Sequence, residues 1–156
     1  MNLNSLTLRS ATSEDVEFLT RTFLTSLRES IEAARGRWSE SRERAQFVAQ
    51  LDLDHTKIIC VRSREVGFLT AILRAHEIEI HTLCVVPDQQ GQGIGSQVTR
   101  QVIQSAHAAG YAVALSVLKT NQRAAKLYRR LGFEQVDELE HHLRFRRAQD
   151  AVSHDG

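Results

Sequence analysis

Apolar residues recur along this chain in two rhythms, and the rhythm changes several times. Leu6 and Leu8 alternate with polar neighbours, the period of a half-buried strand. Thr12, Ser13, Glu14 and Asp15 then form a helix-start signature, a hydroxyl followed three residues on by an acid. Val16, Leu19, Phe23 and Leu27 follow at helical spacing, and the pattern breaks near Gly36. Ser39 is placed to cap a second helix reaching Leu51, with Phe47, Val48 and Leu51 as its apolar stripe.

Residues 57–62 and 66–73 are rich in Ile, Val, Phe and Leu. Ser63, Arg64 and Glu65 separate them, so the two runs read as a hairpin. A tight turn at Ala75 and His76 leads into a third strand, 77–86. Ile94, Val98, Val102, Ile103 and Ala106 return to helical spacing, with Gly110 as the stop. A strand over 112–118, a helix over 121–131 ended by Gly132, and two short strands over 134–139 and 142–146 complete the pattern. The order predicts a mixed α/β fold on one central sheet.

A chain of 156 residues suits one domain, expected here over 1–147, with a polar tail at 148–156 that frays. Hydrophobic residues at 42% and charged residues at 25% exclude general disorder. A net charge of +1 argues against a nucleic-acid partner. The apolar runs fall short of the roughly 18 residues of a membrane span, so no membrane partner is expected. Met1 to Ser10 lacks the basic start and apolar core of an export signal, which makes a cytoplasmic setting the expectation. Cys60 and Cys84 sit in β-branched runs and read as buried thiols; an acyl-carrying nucleophile is the alternative. The seven histidines show no metal-ligand spacing, and no metal is expected.

The sharpest punctuation is Pro87 followed by Gly91, Gly93 and Gly95, where a strand ends and a helix begins. A helix N-terminus carries unpaired N–H groups and partial positive charge, and glycines admit a phosphate close to the backbone. The segment therefore predicts a phosphate seat made of main-chain amides, against the plainer reading of a helix entry that needs positive φ. A dinucleotide site requires G-x-G-x-x-G and an acid about 20 residues on, and a triphosphate loop requires G-K-[ST]. Neither pattern is present.

Gln90-Gly91-Gln92-Gly93-Ile94-Gly95 resembles the Q/R-x-x-G-x-G/A motif of the GNAT superfamily of N-acetyltransferases. The run from Asn121 through Ala124, Leu127 and Tyr128 to Gly132 and Phe133 resembles that superfamily's N-x-x-A-x-x-L-Y-x-x-x-G-F signature. Together these cover residues 77–133 closely and the rest more loosely. The resemblance implies a mixed, mostly antiparallel sheet flanked by helices, with a splayed strand pair at an acyl-CoA site. It implies acetyl transfer from acetyl-CoA to a primary amine, by direct attack in a ternary complex. The acceptor would be a small molecule, an amino acid or a peptide amine, and a homodimer would be in keeping with the family. A non-catalytic acyl-CoA-binding module on the same fold is the alternative.

Residue by residue, the resemblance gives the amides of Gln90, Gly91, Gln92, Gly93, Ile94, Gly95 and Ser96 the CoA pyrophosphate. Leu83 and Val85 would pair with the pantetheine arm, and the Val85 N–H would polarise the thioester carbonyl. Asn121 would hydrogen-bond CoA. Tyr128 is the candidate acid for the departing thiolate; its plain alternative is packing on an apolar helix stripe. Glu79 is the candidate base and His81 a second, on the expectation that Glu77, Glu79, His81 and Leu83 share one strand face. A solvated strand residue or a water chain is the alternative for both. Arg123, Lys126, Arg129 and Arg130 could meet the CoA 3′-phosphate or form a solvated face. Trp38, with Glu29, Glu32 and Glu40, could line an acceptor site for a cationic amine, and His141 or His142 could reach it.

Overall fold

Seven strands form one sheet in the order β1-β2-β3-β4-β5-β7-β6 in a computed structural model that describes residues 5–149. Most of the expected frayed tail, 148–156, lies outside the described residues. The strands are β1 (Leu6–Ser10), β2 (Thr56–Val61), β3 (Arg64–Arg74), β4 (Glu77–Val85), β5 (Ala112–Leu118), β6 (Glu134–Glu138) and β7 (His142–Arg147). Every neighbouring pair is antiparallel except β4 with β5. That exception follows from connectivity: a helix joins β4 to β5, and a crossover returns the chain in the same direction.

The helices are α1 (Val16–Arg35), α2 (Glu40–Gln50), α3 (Ile94–Ala108) and α4 (Gln122–Arg130). The capping box expected at Thr12 is present, closing a short 3-10 turn (Ser13–Asp15) before α1 proper begins. Gly36 ends α1 at φ +74°, a left-handed conformation that glycine adopts without strain. Ser39 caps α2 by accepting the Arg42 N–H.

The sheet separates two apolar clusters. On one face α1 and α2 cover Ile58, Cys60, Phe68 and Cys84, with Leu19 fully buried between them. Phe47 stacks on Phe23 at 4.5 Å and meets Phe68 edge-on at 6.1 Å. On the other face α3 and α4 press Ile94, Val98 and Tyr128 against Ile59, Leu69, Ile80, Leu115 and Phe145. Each fully buried Leu, Ile or Phe here stabilises the fold by roughly 1.5–3 kcal/mol.

Three local expectations are corrected. Val48 is exposed, because α2 buries Glu43, packs the half-buried Phe47 on the sheet and turns Val48 outward. The β2–β3 turn is only Arg62 and Ser63, both at positive φ, the shape of a two-residue hairpin. The third correction concerns β4: Thr70 pairs with Thr82, but Ala71 pairs with Ile80, leaving His81 as an extra residue. This bulge reverses the alternation, so Leu83 falls on the face of Ile80 and not on that of Glu79.

Candidate functional site

The β4–β5 ladder runs only from Glu77 opposite Ala112 to Ile80 opposite Leu115. Beyond it the two strands separate. Strand N–H groups alternate between edges, and the Val86 N–H bonds to the Val66 carbonyl on β3 at 2.8 Å. The Val85 N–H therefore faces the opening on the other side. The end of β4 is held firmly. A Cβ on Gly67 would collide with the Cys84 carbonyl, so β3 and β4 approach as only glycine allows. The Val85 carbonyl accepts hydrogen bonds from Ser26 Oγ and Gln90 Nε2, both 2.9 Å.

After β4 a 3-10 turn (Pro87–Gln89) leads to Gly91 at φ +77° and Gly93 at φ +84°. Gly93 is the α3 N-cap, and it brings no side chain to the helix start. The first-turn N–H groups of α3 are left without intrahelical acceptors and carry the positive end of the helix dipole. Gln90 pins the approach: besides its bond to Val85, its Oε1 accepts from Arg123 at 3.3 Å.

These parts border a cleft of about 1150 Å³. Its lining includes Leu83, Val85, Gln90, Gly91, Gly93, Ile94, Gly95, Ser96, Asn121 and Tyr128. Gln92, Glu79 and His81 are outside it. Arg100, Arg123, Lys126 and Arg130 supply a cationic rim. Arg129 turns elsewhere, onto the Phe145 ring at 5.2 Å.

The remaining wall includes Ser26 and Ser30 from α1, Thr120 and Arg100, which the motifs did not reveal, and Glu29, which the sequence places beside Trp38 instead. Arg100 was within reach of sequence reasoning, because it lies one helical turn after Ser96. Ser26 and Ser30 carry no such signal, since their contacts span the chain.

Tyr128 is buried under α4, edge-on to Phe133 at 5.4 Å. Its hydroxyl makes no hydrogen bond among the described residues, although the residue lines the cleft. Burial raises its pKa well above the ordinary tyrosine value, and the nearby Cys84 adds to the effect. Cys84 also lines the cleft, with burial pushing its thiol up to about 12. A nucleophilic thiol needs the opposite shift, so the acyl-carrying cysteine loses its footing. Asn121 is first a helix cap, its Oδ1 accepting the Ala124 N–H at 3.2 Å, which leaves its amide NH₂ for other partners.

Glu79 and His81 lie apart from this cleft, on the sheet face that α1 partly covers. Arg144 from β7 approaches Glu79 at 3.5 Å and Glu77 at 3.6 Å, and Arg146 bonds Glu77 at 2.8 Å. His81 stands 3.8 Å from Glu79. The two candidate bases are thus neighbours within an ionic ladder.

A second pocket, about 400 Å³, lies where the end of α1 and the start of α2 meet His141. Arg35, Arg37, Trp38, Arg42 and Glu43 line it. The acids expected beside Trp38 do not converge there: Glu32 pairs with Arg28, Glu29 lines the main cleft, and Glu40 is exposed. His142 is half-buried, and its pKa is lowered by burial and then by His141 and Arg35.

Comparison with known proteins meets this geometry at several points. The GNAT acetyltransferase family model matches residues 23–133. A 60-residue stretch, 38% of the chain, is 42% identical to the N-alpha-acetyltransferase RimI of Mycobacterium tuberculosis. Over 91% of the chain, identity to an uncharacterized N-acetyltransferase of Methanocaldococcus jannaschii is 26%. The matches span 37% and 66% of those two relatives' own lengths. Among solved structures, the PaiA N-acetyltransferase of Thermoplasma acidophilum, in complex with coenzyme A, superposes with a TM-score of 0.72. That likeness covers 92% of this chain and 99% of the other, at 19% identity, and shows a shared fold.

Proposed function

The chain belongs to the GNAT acetyltransferase family, and from that premise we propose that it moves acetyl from acetyl-CoA to a primary amine. The observation that carries the reading is the uncapped α3 N-terminus opening into the same cleft as the free edge of β4 and the Tyr128 ring. The chemistry of this donor set fits CoA. The α3 amides and the rim of Arg100, Arg123 and Lys126 suit its phosphates. The edge of Leu83 and Val85 suits an extended amide-bearing arm added as a strand. Acetyl-CoA, when bound, would supply the thioester that the acceptor amine attacks, with CoA leaving as the thiol.

The chain's own groups then have distinct tasks. The Val85 N–H donates to the oxygen on which charge develops as the amine adds, an interaction strongest in the transition state. Tyr128, kept protonated by burial, donates its hydroxyl proton to the departing thiolate. The attacking amine must shed a proton, and Glu79 takes it through intervening water, since it lies outside the cleft lining. Ser26 and Gln90 hold Val85 in place and act as positioning residues. A cytoplasmic setting belongs to the same proposal, since two free buried thiols and an acetyl-CoA-dependent reaction suit it. Among the described residues no helix is long and apolar enough to cross a membrane.

The test is CoA-thiol release from acetyl-CoA across polyamines, aminoglycosides, amino acids and short peptides, with acetyl-CoA binding titrated in the same preparation. Release with one class establishes the transfer. Binding without release across the panel turns the reading toward a non-catalytic acyl-CoA module. Absence of binding removes the role given to the α3 N-terminus.

A further inference from the structure

We propose that the smaller pocket takes a carboxylate of the acceptor, held well away from the amine that is acetylated. The proposal rests on the acetyl-transfer reading above and deepens it by naming the acceptor's chemistry.

The pocket is rich in donors without acceptors. Of its three guanidinium groups, Arg35 is satisfied by the buried Glu43 at 2.6 Å. Arg37 and Arg42 line the same pocket and have no carboxylate within 4.0 Å among the described residues. The Trp38 indole N–H is buried with no hydrogen-bond partner among the described residues. That nitrogen is closed to a water-sized group, so the exposed guanidiniums of Arg37 and Arg42 are the donors open to a ligand oxygen. Glu43, the acid in the lining, is already engaged by Arg35. Two free guanidiniums lining one pocket recognise a carboxylate, which each can bind in bidentate fashion. A cationic group would meet like charge.

The spacing selects among carboxylates. Helix α1 touches the Val85 carbonyl through Ser26 and lines the smaller pocket with Ala34. Eight helical residues separate these two points by about 12 Å. The α-carboxylate of a free amino acid is far too close to its own α-amine to span that distance. An extended peptide advances about 3.3 Å per residue, so an acidic side chain near its third or fourth position reaches the pocket while its N-terminal amine enters the cleft. A lysine-type ω-amine holds its carboxylate only about 7–8 Å away, short of that span, and so serves as a control for reach.

Trp38 is the chain's one tryptophan, so its fluorescence reports on the pocket independently of turnover. The probes are the C-terminally amidated peptides Ala-Ala-Ala-Glu and Ala-Ala-Ala-Gln, and free lysine beside lysine amide. They are titrated into the intact chain and into the Arg37→Gln, Arg42→Gln double variant. Both arginines are exposed, so the variant should fold, and its thermal midpoint is measured alongside. The proposal expects the Glu peptide to bind at least tenfold tighter than the Gln peptide, with the gap closing in the double variant. A charge-dependent gap between lysine and its amide alone, with none between the peptides, contradicts the spacing and overturns the proposal. Equal binding within both pairs, or a gap that survives the double variant, overturns the proposal. CoA release on the same probes separates the two readings. Charge-selective binding without release sinks acetyl transfer and leaves the pocket, while release blind to charge does the reverse.

Discussion

The Ser26 hydroxyl donates a 2.9 Å hydrogen bond to the Val85 carbonyl, tying α1 to the last residue of β4 across 59 positions. The bond fixes the peptide unit beside the N–H assigned to the thioester. Ser26→Ala removes a part-buried hydrogen bond and should cost about 1 kcal/mol, or roughly 2–4 °C in thermal midpoint for a chain this size. Gln90 still holds the same carbonyl, so the fold survives. The KM for acetyl-CoA should rise several-fold. Unfolding curves and steady-state kinetics on the variant check both, and an unchanged KM would remove Ser26 from the positioning role.

Tyr128→Phe separates packing from proton donation. The edge contact with Phe133 needs the ring, and the hydroxyl makes no hydrogen bond among the described residues. Stability and acetyl-CoA affinity should therefore be retained. Turnover should fall by about 10²-fold or more, the usual worth of a positioned acid. The raised pKa fixes the sign of the pH dependence: the protonated form persists beyond the ordinary tyrosine value, so no falling limb from this group appears below about pH 10. A variant with wild-type turnover leaves Tyr128 as packing only.

Gly95→Ala tests the phosphate seat without disturbing the fold. Gly95 lies in the first turn of α3 and has no positive φ, and an added Cβ would meet Leu127 Cδ2 at an ordinary 3.6 Å. Alanine also favours a helix over glycine by about 0.8–1 kcal/mol in an interior position. The variant should fold at least as well while the extra methyl narrows the approach to the amides. Calorimetric titration should show acetyl-CoA binding weakened by tenfold or more. Unaltered affinity would move the pyrophosphate elsewhere.

Asp15 couples the start of α1 to pH. Arg9 grips its carboxylate at 2.8 and 2.9 Å and the Thr12 N–H adds a third bond, which together lower its pKa to about 2. A lowered carboxylate pKa favours the charged form in the fold. The stabilisation is therefore complete above the ordinary value of 3.8 and is lost as pH falls toward about 2. Asp15→Asn should destabilise the chain by about 1–2 kcal/mol at neutral pH, through the capping box and the lost ion pair. It should also flatten the stability profile between those two pH values. Urea unfolding at pH 7 and pH 2.5 measures both effects.

Much of this was legible in the sequence because it depends on neighbours along the chain. Gly91 and Gly93 reveal a helix entry through their backbone freedom alone, and Thr12 and Asp15 reveal a cap through their spacing. Features set by strand partners were hidden. The bulge at His81 exists because β3 pairs with β4 one residue out of step, and no pattern within 77–86 records it. Without the bulge, alternation puts Leu83 beside Glu79; with it, Leu83 joins the cleft wall and Glu79 stays outside. Trp38 and His141 share a pocket only because the turn before β7 folds against the end of α1.

Glu79 and Glu77 allow the base to be tested against its own control. Both carboxylates sit within 4.0 Å of Arg144, so either substitution to glutamine removes one charge from the same ladder. Glu77 also holds Arg146 at 2.8 Å and has no assigned part in the reaction. If Glu79 draws the proton from the amine through water, Glu79→Gln should lower kcat/KM by about 10²-fold or more and leave acetyl-CoA binding intact. Glu77→Gln should stay within a few-fold of wild type. Equal losses in both would mean that the ladder serves to hold β4, β5 and β7 together and that its charge, not a base, is being read. Wild-type rates in both would assign the proton to water alone. The comparison is sharpest below pH 7, where more of the amine is protonated and the step that needs a base weighs most on the rate.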